Sequence, residues 1–202
     1  QQFLAAAEYS WRRFQTLVGD DYGVHWLPTY REGNSALPQL IPTFPPDSRM
    51  LNHNDHPFPV DHVAYFDTMY VETGRYLRQL IRDIQTAGGR IQVRDFAIAG
   101  DLSSLPEGLI FNCTGLGARQ LFGDTDLTPI RGQLAILLPQ PEVQYAYSFK
   151  RSGYMFPRPD GIILGGTSEK GVTDPTPQPG DIAKILNGHQ SLVNEYRCTP
   201  RQ

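Results

Sequence analysis

Two cysteines in 202 residues, Cys113 and Cys198, are too few for a disulfide framework. That usage fits a reducing compartment. Charge of one sign is equally scarce: 18 Lys and Arg against 21 Asp and Glu leave a formal charge of -3, with both signs interspersed. A nucleic-acid or membrane-surface partner leaves a basic patch, and none is present. No uninterrupted apolar run approaches the roughly 20 residues of a membrane span, and the opening QQFLAAAEYSWRRF lacks the apolar core of a secretory signal. The expectation is a soluble chain. No Ser/His/Asp, Cys/His or HExxH arrangement stands at useful spacing, so hydrolytic chemistry has no support. An initiating Met is missing too, and the gene product is expected to extend before Gln1.

What is present is enough apolar residue, 40% of the chain, to build a sizeable core. Residues 3–18 place Phe3, Leu4, Ala7, Trp11, Phe14, Leu17 and Val18 at helical spacing, ending at Gly19. Tyr22–Tyr30 reads as a strand. The stretch Arg31–Val60 carries Pro38, Pro42, Pro45, Pro46, Pro57 and Pro59, each without an N–H and each restricting its predecessor, and reads as a long loop. Residues 63–72 read as a strand. They lead into a helix over 73–87 whose Leu77, Leu80, Ile81 and Ile84 share a face and whose end is marked by Gly88-Gly89. Strands over 90–98 and 109–112 follow, giving a mixed sheet with a helix packed on it. In the second half, 131–138, 144–149, 154–157 and 162–165 read as an antiparallel sheet with an Asp-Gly turn in RPDGI, and Asp181 as the N-cap of a last helix.

The stretch LIFNCTGLGA, Leu109 to Ala118, is the first candidate for chemistry. After an apolar strand, glycines at 115 and 117 let the backbone turn tightly and approach a ligand, and Thr114 adds a hydroxyl. A full dinucleotide fingerprint needs a third glycine where Gln120 stands, and it normally opens its domain. A phosphate loop and a turn beside some other ligand both stay open. Cys113 reads as a buried small hydrophobe. His53, His56 and His62 lie close to Asp55 and Asp61, but in a proline-rich loop without cysteine partners, so no metal site is expected. Tyr154, in SGYMFPRPDG, reads either as packing or as a phenol donating to a ligand carboxylate. PIRGQLAIL places Arg131, Gly132 and Gln133 at the start of a strand, where the glycine lets another group approach closely.

Taken in order, DDYGVHWLPTY, YFDTMYVETGRYLRQL, GLIFNCTGLGA, LTPIRGQLAIL and GYMFPRPDGIILGGT resemble the D-amino acid oxidase family of flavoproteins over nearly the whole chain. The resemblance implies an α/β (α+β) fold in which part of an FAD-binding Rossmann-like domain is interleaved with a mostly antiparallel substrate domain. Residues 1–62 and 121–202 would belong to the substrate domain, and 63–120 to the middle of the FAD domain. It places Cys113, Thr114 and Gly115, with the backbone near Phe96, against FAD, and Tyr154 against the substrate carboxylate. It implies no catalytic side chain. The amino acid's α-hydrogen would pass as hydride to the flavin, the imino acid would hydrolyse to a 2-oxo acid and ammonia, and oxygen would yield hydrogen peroxide.

The family's G-x-G-x-x-G turn is expected before Gln1, and its carboxylate-clamping arginine after Gln202. These residues alone are therefore expected to bind FAD weakly and to show no turnover. A second family tyrosine is replaced by Lys150, which leaves the side-chain preference open among D-amino acids in general, glycine, N-methyl and acidic amino acids. A ligand-binding module without flavin is the rival of another class. The partner expected is a small amino acid, with neither nucleic acid nor membrane. Homodimerisation and a cytoplasmic or peroxisomal location are compatible with the resemblance and rest on no residue here.

Overall fold

The computed structural model describes residues 2–33 and 47–197. Cys198 and Pro38, Pro42, Pro45 and Pro46 lie outside them. The helical spacing at the start folds as α1 (Gln2–Gln15), and Trp11 is its buried residue, meeting Trp26 edge-on at 5.5 Å between centroids. The chain then enters β1 (Val24–Glu32) through Gly23, whose φ of +62° suits glycine. A β-carbon there would also lie 2.9 Å from Arg75 Cδ.

The proline-rich stretch is not all loop. Its residues Arg49–Asn52 form β2, because they pair antiparallel with β3 (His62–Val71). The structure builds a seven-stranded sheet in the order β2-β3-β1-β6-β7-β8-β5. Strands β5 (Leu134–Leu137), β6 (Ala146–Phe149), β7 (Gly153–Arg158) and β8 (Gly161–Gly165) are the antiparallel set expected from the second half. The parallel register Thr29↔Ala146, Tyr30↔Tyr147 and Arg31↔Ser148 joins them to β1. The hairpin between β7 and β8 turns at Pro159-Asp160, and Gly161 already pairs with Arg158. The expected strand over 131–138 is split: β4 (Ile130–Arg131) leaves the main sheet to pair with β9 (Glu169–Lys170).

One face of the sheet carries the core. Tyr147, Phe149, Met155, Ile162, Leu164 and Ala135 pack around Phe58 and against Ile185 and Leu192 of α4 (Pro179–Asn194). Helix α4 starts on Pro179 with Gln178 as N-cap, and Asp181 sits within the first turn rather than capping it. Phe58 is 1% exposed and its ring meets those of Tyr30, Phe149 and Tyr196 at 5.1, 4.8 and 5.3 Å.

Residues between the two halves differ from the sequence reading. Helix α2 (Thr73–Thr86) forms and ends on Gly88-Gly89 as expected, with Gly88 at φ +87°. Tyr76 ties it to Phe14 and Tyr22, yet its stripe of Leu77, Ile81 and Ile84 is exposed. Neither 90–98 nor 109–112 is a strand. Their apolar residues, Val93 at 98% exposure and Phe111 at 80% among them, have no neighbouring strand among the described residues. A strand exists only through hydrogen bonds to another strand, so β-prone residues without a neighbour stay irregular. Among the described residues no helix is long and apolar enough to cross a membrane.

Candidate functional site

Residues paired across a sheet point to one face. The register Ser148↔Tyr154, Tyr154↔Gly165 and Gly165↔Leu134 therefore lays these four residues in a row on the face opposite the core. Tyr154 packs on Phe156 at 5.2 Å, and Phe156 stacks on Tyr70 at 6.1 Å. Burial pushes the Tyr70 hydroxyl up to about 12. Leu134 and Ile136 are exposed on the same face. The result is an aromatic and aliphatic surface with the Tyr154 hydroxyl as its donor.

Glycines hold that tyrosine in place. A β-carbon on Gly165 would lie 2.0 Å from Tyr154 Cζ, and one on Gly166 would lie 2.9 Å from the Gln133 carbonyl oxygen and 3.3 Å from the Tyr154 hydroxyl. The ring thus lies flat on the end of β8. Beneath it, on the core side, buried His189 of α4 makes a hydrogen bond of 2.6 Å between Nδ1 and the Tyr147 hydroxyl, and its Nε2 lies 3.3 Å from the Gly165 carbonyl. Burial holds the His189 pKa below the ordinary histidine value, which the Gly165 carbonyl partly offsets. A neutral imidazole whose Nε2–H donates to Gly165 and whose Nδ1 accepts from Tyr147 satisfies both contacts.

The R-G-Q segment is tied just as closely. Arg131 donates from Nε and Nη2 to the two carboxylate oxygens of Glu169, both at 2.8 Å, and holds that carboxyl below its usual range. The Gln133 amide donates to Thr167 Oγ1 at 3.0 Å, and its side-chain Oε1 accepts from the Gln178 amide at 2.7 Å. A β-carbon on Gly132 would lie 3.2 Å from the Thr167 carbonyl oxygen, a tight contact. Arg131, Gly132, Gln133 and Leu134 line a cleft of 420 Å³ together with Leu116. Through Leu116 the N-C-T-G turn reaches the same cleft, whose Leu134 adjoins Gly165 in register.

Within that turn, Thr114 Oγ1 donates to Asn112 Oδ1 at 2.8 Å, and α3 (Gly117–Phe122) begins two residues beyond Gly115. Gly115 has φ +55°, and a β-carbon on it would meet nothing within 4 Å. Cys113 is exposed, contrary to its reading as a buried hydrophobe, because the segment before it lies against no sheet. Phe96 is half-buried in the irregular stretch before the 3-10 helix Ala99–Ser104. His56, 1% exposed, packs 5.8 Å from Phe58, while His53 contacts Arg197. Among the described residues no three His, Cys, Asp or Glu groups are placed to hold a metal ion.

Sequence reasoning picked out Tyr154 and missed its supports. Gly165 and Gly166 stand in the quoted L-G-G-T, but only the folded sheet brings them under the tyrosine ring. His189 had a usable signal: with Ile185 and Leu192 it falls at i, i+4 and i+7 on the buried face of α4.

The family model of FAD dependent oxidoreductases matches residues 5–199. The chain is 29% identical over 180 residues to a D-amino acid oxidase of Dugesia ryukyuensis, covering 86% of this chain and 53% of that protein. It is 32% identical over 126 residues to a D-aspartate oxidase of Homo sapiens, covering 60% of this chain and 36% of that protein. A glycine oxidase from Bacillus cereus ATCC 14579 shares the fold, with a TM-score of 0.60 at 14% identity over 96% of this chain and 64% of that one. The chain spans about half the length, or less, of these curated relatives.

Proposed function

We propose, from the premise that this chain belongs to the family of FAD dependent oxidoreductases, that the full-length protein deaminates D-amino acids oxidatively, releasing 2-oxo acids, ammonia and hydrogen peroxide. The observation that carries this reading is Tyr154: a phenol with no hydrogen-bond partner among the described residues, seated on Gly165 on an open apolar face. Relatives that act on D-amino acids and D-aspartate by name support the substrate class.

The residues present suit the cofactor. Gly115 leaves its backbone open to an approaching group, and Cys113 and Thr114 beside it are exposed. Thr114 and Gly115, with Cys113 and the backbone near Phe96, would hold part of FAD. When bound, FAD supplies the two-electron acceptor for oxidation of the amino acid. The chain's own contribution is binding and orientation. The Tyr154 hydroxyl donates to the substrate carboxylate, and the apolar surface of Leu134, Ile136, Phe156 and Ile163 keeps water from the carbon that is oxidised. The in-register neighbours of Tyr154 are Ser148 and Gly165, neither of them a base at neutral pH. His189 lies on the core side, bonded to Tyr147. Tyr154 therefore orients substrate and makes or breaks no bond.

The test is to supply the full-length protein with FAD and follow peroxide over paired D- and L-amino acids and glycine. Peroxide from the D-enantiomers alone is expected. Equal rates with both enantiomers, or none with any D-amino acid, would refute the reading.

A further inference from the structure

The row that carries Tyr154 continues beyond Ser148. In the parallel register Ser148 pairs with Arg31 of β1, so Arg31, Ser148 and Tyr154 stand side by side on three neighbouring strands and point to the same face. Arg31 and Ser148 are both exposed. Lys150, two residues past Ser148 in the short turn between β6 and β7, is exposed at the same end. Neither Arg31 nor Lys150 has an ion-pair partner among the described residues.

Two charged neighbours are already engaged. The Glu32 carboxylate accepts the Lys150 amide at 2.8 Å, and by strand alternation Glu32 points to the opposite face from Arg31. Arg151, the next cation in the turn, is paired with Glu195 at 2.7 Å. Two cations therefore flank the Ser148 hydroxyl without a counter-ion on a chain whose net charge is -3. An isolated exposed cation needs no explanation. Two of them beside an exposed hydroxyl, in register with the substrate-binding tyrosine, make an anion-accepting arrangement.

We infer that this row selects the substrate's side chain, and that the preferred substrates are D-amino acids with a second carboxylate. This rests on the oxidase reading above. Strands lie about 4.8 Å apart and the Tyr154 hydroxyl lies over Gly165, three strands from Arg31, so roughly 14 Å separates it from the Arg31 backbone. A substrate whose first carboxylate is held by the Tyr154 hydroxyl directs a second one back along the row toward Ser148, and the long side chains of Arg31 and Lys150 extend to meet it. Hydrogen bonds between charged partners are roughly twice as strong as neutral ones. A neutral side chain gains nothing from the same cations, and a basic one is repelled. Arg31, Ser148 and Lys150 are thus specificity residues and take no part in the oxidation itself.

Two measurements on the full-length protein test this. The first compares kcat/KM for D-aspartate and D-glutamate with that for D-alanine, in the wild type and in Arg31→Gln, Lys150→Gln and the double variant. The wild type is expected to favour an acidic substrate at least tenfold, and the double variant to lower the acidic-to-neutral ratio at least tenfold. A preference for D-alanine, or an unchanged ratio in the double variant, would overturn the inference. The second follows tryptophan fluorescence during titration with succinate and with propionate and needs no turnover. Succinate is expected to bind at least tenfold tighter than propionate, an advantage lost in the double variant and in high salt. Equal affinities in the wild type would overturn the inference. Tight succinate binding without peroxide from any D-amino acid would remove the oxidase reading while leaving the two-carboxylate site in place.

Discussion

Tyr154 lies on Gly165 so closely that a single β-carbon on the glycine would sit 2.0 Å from the ring carbon bearing the hydroxyl. Substrate recognition in the proposed function is thereby tied to the absence of a side chain one strand away. The glycine has no role in chemistry, yet it decides where the phenol can be.

Gly165→Ala is expected to destabilise the protein by about 1–3 kcal/mol, the usual cost of overpacking. Adding Tyr154→Ala removes the ring that the new methyl strikes. The double variant should therefore be more stable than the sum of the two single changes predicts, a coupling that denaturant unfolding of all four proteins measures. Strict additivity would show that the ring does not rest on Gly165.

Tyr154→Phe removes the hydrogen bond proposed to the substrate carboxylate and keeps the ring. In the full-length protein it should raise the apparent KM for a D-amino acid about tenfold and leave the melting temperature unchanged. An unchanged KM would sink the role given to this hydroxyl.

Acid should weaken the fold through His189. Burial lowers its pKa below the ordinary 6.5, so the unfolded chain binds a proton more readily than the folded one. The stability is complete above pH 6.5 and is lost as pH falls from there through the folded value. His56, whose pKa burial also lowers, adds to the same trend. Unfolding free energies from pH 8 to pH 5 should decline in the wild type and decline less steeply in His189→Asn. An equal slope in the variant would show that His189 is not buried neutral.

Phe58→Ala should cost about 3–5 kcal/mol, since the ring is almost fully buried and surrounded by aromatic neighbours that cannot close over the space. A loss below 1 kcal/mol in chemical denaturation would place the centre of the core elsewhere.

Much of the fold was legible because local rules sufficed. The 3.6-residue spacing of Leu77, Leu80, Ile81 and Ile84 and the Gly88-Gly89 stop define α2 without any tertiary contact. The four antiparallel strands of the second half were readable from β-prone runs separated by turn residues. The same rules failed at 90–98 and 109–112, where Val93 and Phe111 are as β-prone as any residue of β8 but have no strand beside them among the described residues. They failed again at Arg49–Asn52, where β3 makes a strand of residues set among prolines.

By itself the sequence determined that three amphipathic helices form and where α2 stops, which runs can become strands, that Tyr154 stands in a hairpin, and the family likeness. These depend on neighbours along the chain, and spacing records them. Only the tertiary structure decided that β1 runs parallel to β6, and with it that Arg31, Ser148, Tyr154 and Gly165 share one row. It also decided that His189 sits beneath that row. Strand order and register are set by burying one common face, a property of the whole sheet that no window of residues contains.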